Sequence, residues 1–209
     1  MKKQILTLSA ACFYGGLTCQ TAFALDHDVV ILHTNDTHCG IEENMGYAGL
    51  VWYENQMKEE TPYVTLVDAG DAIQGAPVGT LSEGEYLVQI MNKAGYDFAV
   101  PGNHEFDYGM EKLLGLSARL DCGYSACNFV NLPSKTQVFA PYRIMEYDDI
   151  QVAFVGVATP ESITKSTPAY FQDQFGRYRF SFVRMRRERP YTARYRAPWT
   201  RPGAKAPTM

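Results

Sequence analysis

Histidine is scarce in this sequence, and so is cysteine. The chain has four histidines in 209 residues, at positions 27, 33, 38 and 104, and none follows His104. Beyond the amino end, Cys39, Cys122 and Cys127 form neither a disulfide framework nor a close-spaced zinc knuckle. No stretch after residue 24 reaches the ~20 apolar residues that a membrane-spanning helix needs. These absences exclude a small protein stabilised by disulfides, a zinc-knuckle module and a membrane-spanning helix after residue 24.

The amino end has the form of an export signal. Lys2 and Lys3 precede a largely apolar run from Ile5 to Thr18, and Ala22-Phe23-Ala24 has the small-x-small form after which a signal peptidase cuts. We therefore expect residues 1–24 to be a signal peptide and the mature chain to be exported to the periplasm, the cell surface or the medium. A membrane anchor is the alternative, but the apolar run is too short to span.

Two interpretations of the remaining cysteines stay open. In an oxidising compartment, Cys122 and Cys127 could pair across a short loop and leave Cys39 over. Three buried or surface thiols are the other interpretation, which the scattered positions favour.

Charge divides the chain into two unlike parts. Through Phe175 there are 9 Lys and Arg against 22 Asp and Glu, a balance of −13, whereas from Gly176 onward there are 10 against 1, a balance of +9. Residues 177–209 are rich in Arg, Pro and Tyr and have no sustained helical or strand period. Such a segment cannot bury enough apolar surface to fold alone. We expect an acidic globular domain followed by a disordered basic tail.

Between the two ends, predicted strands and helices alternate. Strands are predicted at 29–33, 63–67, 98–100, 126–130, 142–147 and 152–158, with a turn at Asp148-Asp149. Helices are predicted at 47–58, 85–94 and 110–120; for the second, Ser82 and Glu85 suggest a capping box and Gly95 a stop. This alternation favours an α/β layered fold.

Polar motifs follow three of the predicted strands, where α/β folds gather functional residues. In Asp36-x-His38, two side chains on extended backbone would project to one side and reach one cation; a carboxylate and an imidazole suit a borderline metal such as zinc, manganese or cobalt. Asp71 follows Gly70 in a turn and could bridge two cations, whereas Asp68 is expected to have a structural role. Each motif alone is also compatible with a solvated or capping turn.

The third motif, residues 101–109, is the most specific. It places Asn103, His104, Glu105 and Asp107 in one loop. Asn103 can offer a carbonyl oxygen to a metal, His104 could protonate a leaving oxygen, and Asp107 could hold the other imidazole nitrogen. Glu105 is expected to act indirectly, and a polar turn that caps the next helix explains Asp107 but not the whole cluster.

In order and spacing these stretches resemble the secreted 5′-nucleotidases of the calcineurin-like metallophosphoesterase superfamily. The resemblance covers about residues 29–175 and rests on ILHTNDTHCG (31–40), VDAGDAIQGAP (67–77), GYDFAVPGNHEFDYG (95–109) and the segment 141–159. It implies that residues 25–182 form the amino-terminal half of a four-layer α-β-β-α sandwich.

The resemblance also implies a site for two divalent cations, with zinc, manganese, cobalt or magnesium as candidates. Asp36 and His38 would bind one cation, Asp71 would bridge both, and Asn103 would bind the second. Hydroxide activated by the two metals would attack phosphorus. His104 and Asp107 match the catalytic pair at the leaving group, and Asn103 and His104 would contact the substrate. The implied substrates are nucleoside 5′-monophosphates, with UDP-sugars and cyclic nucleotides as related options.

Two features depart from the family pattern. The family completes its site with later histidine-bearing motifs and has a separate domain that grips the base, and this sequence has neither. A reading-frame shift near Phe182 would explain both this and the basic composition of residues 183–209. The alternative function is therefore an inactive metal- or phosphate-binding remnant, with nucleic acid as a less favoured partner of the tail. Such a partial domain is expected to expose an apolar sheet face and to be poorly stable.

Overall fold

A computed structural model describes residues 28–183 of the chain. The predicted signal peptide and the basic tail from residue 184 onward lie outside the described residues. The strands are β1 Val30–Thr34, β2 Val64–Asp68, β3 Phe98–Ala99, β4 Phe129–Asn131, β5 Thr136–Gln137, β6 Tyr142–Tyr147, β7 Ile150–Val155 and β8 Phe180–Phe182. The helices are α1 Gly46–Glu60, α2 Pro77–Ser82, α3 Glu85–Ala94, α4 Met110–Arg119 and α5 Ser162–Lys165, with 3₁₀ turns at His104–Phe106 and Pro168–Phe171.

The first three strands form a parallel sheet in the order β1-β2-β3. Thr34 pairs with Asp68, and Asp68 pairs with Ala99, so the three strands end at one level. Because carboxyl ends of parallel strands meet at the same sheet edge, the loops that follow them lie side by side. We name these the first loop (residues 35–45), the second loop (69–76) and the third loop (100–109). They carry the three sequence motifs.

One face of this sheet is covered by helices. Leu66 of β2 is fully buried in a cluster with Leu50 of α1 and with Leu87 and Met91 of α3. Leu87 and Met91 lie four residues apart on one face of α3, which makes the helix amphipathic. Burying each such side chain contributes ~1.5–3 kcal/mol, so the helix layer fixes the sheet in place.

The other face of the sheet packs against the antiparallel β6–β7 hairpin. The Tyr147 hydroxyl lies 2.5 Å from Thr65 Oγ1, and the rings of Phe98 and Phe154 are 5.9 Å apart. A sheet therefore lies face to face with a second sheet, and the α/β sandwich prediction is confirmed. On the outer side of the hairpin, Ile144 and Val155 are 46% and 44% exposed, so an apolar face is open to solvent.

A third, small sheet has the order β5-β4-β8 and closes an aromatic core. Phe129 of β4 pairs with Phe182 of β8, and their rings stack 4.7 Å apart. Phe106 and Phe171 pack against the same pair and are fully buried. The described chain is thus part of one packed unit as far as Phe182. No helix within residues 28–183 is long and apolar enough to cross a membrane.

Several sequence predictions need correction. The predicted capping box does not form: the residue before α3 is Gly84, and Ser82 Oγ accepts the N–H of Tyr86 (3.3 Å). The Glu85 carboxylate instead contacts Lys112 and Arg119. Helices α2 and α5 and strands β5 and β8 escape prediction, because each is too short to show a period.

Other predictions hold. Gly95 ends α3 in the left-handed conformation, and Asp148-Asp149 joins β6 to β7 as a two-residue turn. Cys39, Cys122 and Cys127 are all buried, and Cys122 carries a free thiol, so the structure does not have the Cys122–Cys127 disulfide. Burial raises the pKa of the Cys122 thiol to about 11, which keeps this thiol protonated.

Candidate metal centre

The first and second loops are held together by backbone hydrogen bonds. The N–H groups of Asp36, His38 and Cys39 donate to the carbonyls of the second loop at 3.0 Å each. Strand pairing between β1 and β2 thereby continues past the strand ends, and the first loop follows the second residue by residue. This pairing brings Asp36 and His38 next to Asp71.

The backbone of this region adopts a conformation that L-residues rarely take. Asp36, His38 and Asp71 have φ of 53°, 45° and 59°, and Cys39 has 63°. A left-handed conformation at non-glycine residues costs on the order of 1–3 kcal/mol each and concentrates at functional sites. The expectation of extended backbone at Asp36-x-His38 was therefore wrong, and a left-handed turn, not strand alternation, places the two side chains together.

His38 is held with one ring nitrogen free. Its Nδ1 lies 3.0 Å from the Gln74 carbonyl oxygen, which can only accept, so Nδ1 carries the proton. The lone pair of Nε2 is then available, and Nε2 lies 3.7 Å from Asp36 Oδ1. Two ligands at ~2.1 Å from one tetrahedral cation are ~3.4 Å apart, so this pair fits a shared metal.

Asp71 connects the second loop to the third. Its Oδ1 accepts the backbone N–H of His104 at 2.7 Å. The third loop approaches so closely that a β-carbon on Gly102 would collide with this carboxylate. The carboxylate is therefore held from one side and keeps free lone pairs for a ligand.

Glu105 lies behind the second and third loops and is fully buried. Its Oε2 accepts the N–H groups of Asp71 (2.8 Å) and Gly102 (2.6 Å), and its Oε1 accepts those of Ala72 (2.8 Å) and Ile73 (3.4 Å). Burial, followed by the charge of Asp68, raises the pKa of Glu105 to about 7.

His104 and Asp107 form a pair within one turn. The 3₁₀ turn His104–Phe106 brings Asp107 back toward the imidazole, so that Asp107 Oδ2 lies 2.6 Å from His104 Nδ1. A carboxylate at this position fixes Nδ1 as the donor and leaves Nε2 to face the cluster.

Two of the four predicted ligands, His38 and Asp71, meet in one place with His104, for which a catalytic role was predicted. One ligating atom each from His38, Asp71 and His104 lies within 4.8 Å of the other two, and the rings of His38 and His104 are 5.0 Å apart. Asn103 directly precedes His104, and within residues 28–183 its side chain makes no hydrogen bond. The set of imidazole, carboxylate and amide donors fits a divalent cation of the zinc or manganese kind.

Asp68 is buried and hydrogen-bonds to the turn that carries Asp71. It is 1% exposed and accepts hydrogen bonds from Thr34 Oγ1 (2.8 Å) and from the Gly70 N–H (3.1 Å). Burial raises the pKa of Asp68 to about 6. The residue stiffens the turn that carries Asp71.

Two functional contacts leave little or no signal in the sequence. The carbonyl of Gln74 that orients His38 is a backbone group, so no residue type marks it. Three of the four N–H groups bound by Glu105 belong to residues that lie 34, 33 and 32 positions away in the chain. Only the place of Glu105 next to His104 points to an indirect role.

Comparisons with known proteins show which family the chain resembles. The calcineurin-like phosphoesterase family model matches residues 29–180. A 5′-nucleotidase of Bos taurus is 32% identical over 169 residues, which cover 70% of this chain and 29% of that protein. Protein UshA of Salmonella pullorum is 29% identical over 185 residues, or 83% of this chain and 33% of that protein.

A solved structure supports the same relationship. The NAD nucleotidase of Haemophilus influenzae matches with a TM-score of 0.63 and 25% identity, over 75% of this chain and 29% of that chain. This chain spans between 29% and 33% of the length of the two curated relatives.

Proposed function

This chain belongs to the calcineurin-like phosphoesterase family, and we propose that it is a metal-dependent phosphohydrolase of the 5′-nucleotidase type. The observation that carries the proposal is the meeting of His38, Asp71 and His104 within 4.8 Å on strained backbone. The name 5′-nucleotidase of the relatives favours nucleoside 5′-monophosphates as substrates. UDP-sugars and cyclic nucleotides are further options that rest on the sequence resemblance alone.

Asp36 and His38 would hold one divalent cation, Asp71 would bridge to a second, and Asn103 would complete the set. Zinc, manganese, cobalt and magnesium are the candidates. When bound, such cations lower the pKa of water and neutralise charge on phosphoryl oxygens. The Gln74 carbonyl keeps His38 in the tautomer that can bind, and the His104 N–H keeps Asp71 in place.

His104 and Asp107 handle the leaving group. Asp107 accepts a hydrogen bond from the Nδ1–H group and stabilises the imidazolium, so Nε2 can donate a proton to the departing ester oxygen. A ribose 5′-oxygen is a poor leaving group and needs this proton. Asn103 and His104 are the residues expected to touch the phosphate.

The test is hydrolysis of adenosine 5′-monophosphate by the purified full chain with Mn²⁺ or Zn²⁺. We expect phosphate release that stops when a chelator is added and falls by about 10²–10⁴-fold in His104→Ala. Turnover that is equal in the wild type and the variant would refute the assignment of His104.

A second candidate function is metal or phosphate binding without turnover. It is favoured by the small size of the ligand group that residues 28–183 bring together, with one ligating atom each from His38, Asp71 and His104. Calorimetric binding of Zn²⁺ without hydrolysis of any nucleotide would support this candidate over the enzyme. Binding of nucleic acid by the basic tail is the less favoured addition.

Export and domain boundaries complete the proposal. We propose that residues 1–24 are removed, which amino-terminal sequencing of secreted protein would test.

Residues 25–182 would form the family domain and 183–209 a non-family tail; the family match ends at residue 180 and β8 packs as far as Phe182. Translating the gene in its other frames beyond this point would test the frame-shift hypothesis, which fails if no histidine-bearing motif is found.

A further inference from the structure

We propose that Glu105 is a positioning residue that holds the second and third loops at the spacing needed to bind a divalent cation. The inference rests on the proposed metal-binding function, but it concerns a side chain that would not itself touch the metal. It assigns to Glu105 a role in cation affinity beyond its part in the fold.

The contacts of Glu105 join two separate segments of chain. Three of its hydrogen bonds go to consecutive N–H groups of the second loop, at Asp71, Ala72 and Ile73, and the fourth goes to Gly102 in its own loop. The connection therefore fixes the distance between the residue that would bridge the cations and the loop that carries Asn103 and His104.

The connection runs in both directions. Glu105 of the third loop accepts the Asp71 N–H of the second loop, while Asp71 accepts the His104 N–H of the third loop at 2.7 Å. Each of the two loops thus contributes a carboxylate that accepts a hydrogen bond from a backbone N–H group of the other loop. Movement of either loop would break hydrogen bonds at both ends of this reciprocal pair.

The chemistry of the site requires a carboxylate. An ionised carboxylate offers about four lone-pair positions and no donor, which matches four N–H groups. No lysine or arginine forms an ion pair with Glu105 among residues 28–183, so the four N–H groups are the partners that hold this carboxylate in place. Glutamine would turn an NH₂ group toward at least one N–H donor and leave that donor unpaired in the interior.

A purely structural role predicts a different result from a positioning role. If Glu105 only stabilised the fold, its loss would lower the melting temperature and leave the affinity of the folded molecules for cations unchanged. If it positions the loops, folded molecules would bind the cation more weakly. Residues that orient metal ligands typically change affinity by 10- to 100-fold when they are replaced.

Glu105→Gln in the full chain is the test, and Glu54→Gln is the matched control. Glu54 is also a buried glutamate, 2% exposed, but it lies on α1 and pairs with Lys58. Affinity for Zn²⁺ is measured by competition with a chromogenic chelator, at a temperature where circular dichroism shows both variants folded. We expect a loss of roughly 10- to 100-fold for Glu105→Gln and less than about threefold for Glu54→Gln. Equal affinity of Glu105→Gln and the wild type would overturn the proposal.

A second measurement does not depend on a variant that folds. In the metal-free wild type, the amide protons of Asp71, Ala72 and Gly102 should exchange slowly although they lie in loops, because Glu105 accepts them in the interior. Exchange at the rate of open loops would overturn the proposal. Failure of the wild type to bind Zn²⁺ would instead refute the proposed metal function, and slow exchange would still support the connection between the loops.

Discussion

Asp107 Oδ2 and His104 Nδ1 lie 2.6 Å apart, at the two ends of a single 3₁₀ turn. Because both residues belong to one short segment, their distance does not depend on how distant parts of the chain pack. The imidazole is fixed with Nε2 toward His38 and Asp71, whose ligating atoms are within 4.8 Å. The turn thus places a ring nitrogen of His104 beside the side chains that could hold a metal ion.

Replacing Asp107 by Asn should therefore impair the proton transfer and leave the cation ligands in place. An amide can present its NH₂ group to Nδ1, which stabilises the wrong tautomer of His104 and makes the imidazolium less stable. We expect a fall of about 10²–10⁴-fold in kcat for adenosine 5′-monophosphate, with Zn²⁺ affinity changed little.

A better leaving group provides the control for this prediction. With p-nitrophenyl phosphate the departing oxygen needs no proton, so the defect of Asp107→Asn should shrink by tenfold or more. An equal loss for both substrates would mean that Asp107 does not act through leaving-group protonation.

Gly102 offers a steric test of the contact between loops. A β-carbon at this position would collide with the Asp71 carboxylate, so Gly102→Ala should displace that carboxylate and weaken Zn²⁺ binding by tenfold or more. Gly115 in α4 is the matched control, because a β-carbon there meets nothing within 4 Å. Gly115→Ala should keep the affinity and stabilise the fold by about 0.5–1 kcal/mol.

Titration calorimetry of the two alanine variants decides the point. Unchanged Zn²⁺ affinity in Gly102→Ala would show that the Asp71 carboxylate can move without consequence. A comparable loss in both variants would point to general destabilisation.

Much of this arrangement could be predicted from local sequence, and some of it could not. β6, α3 and the carboxyl ends of β1 and β2 could be located because periodicity and turn residues act over a few positions. The placement of functional loops after parallel strands followed from the same pattern. His38 and Asp71 could accordingly be proposed as metal ligands, and His104 as a catalytic residue, from the sequence alone.

The remainder depends on contacts between distant segments. The left-handed backbone at Asp36 and His38 is imposed by pairing of the first loop with the second, which no local pattern shows. The short strand β8 exists because Phe182 fills a gap beside Phe129, and three residues carry no period of their own. Ser82 failed as a helix cap since Gly84 already provides the left-handed turn before α3.

Asp68 should make the stability of the metal-free chain depend on pH. Burial raises its pKa in the folded chain from 3.8 to about 6, so between these values the folded state binds more protons than the unfolded state. The free energy of unfolding should thus fall as pH rises from about 4 to 6 and level off above that. The full effect of such a shift is about 3 kcal/mol.

Urea denaturation in EDTA, with Asp68→Asn as reference, isolates this contribution. The variant lacks the titration, so the stability difference between the two chains should move in its favour as pH rises through the window. Glu105 titrates in both chains, but the charge of Asp68 helps to raise its pKa, so the difference between the chains includes the interaction of these two carboxylates. Parallel curves for the two chains from pH 4 to 7 would contradict the assignment to Asp68.

Phe182 should contribute strongly to stability although it lies beside the end of the family match at residue 180. Its ring is 7% exposed and packs 4.7 Å from Phe129 and 5.9 Å from Phe106. Phe182→Ala should cost about 3–5 kcal/mol in free energy of unfolding, because it leaves a cavity in the aromatic core. Phe175 is 71% exposed, so Phe175→Ala should change stability by ~0.5 kcal/mol or less. Urea denaturation of both variants measures the difference between their free energies of unfolding. Only a residue that is packed in the folded unit can show the larger loss of stability. Equal small losses would therefore mean that the folded unit ends before β8.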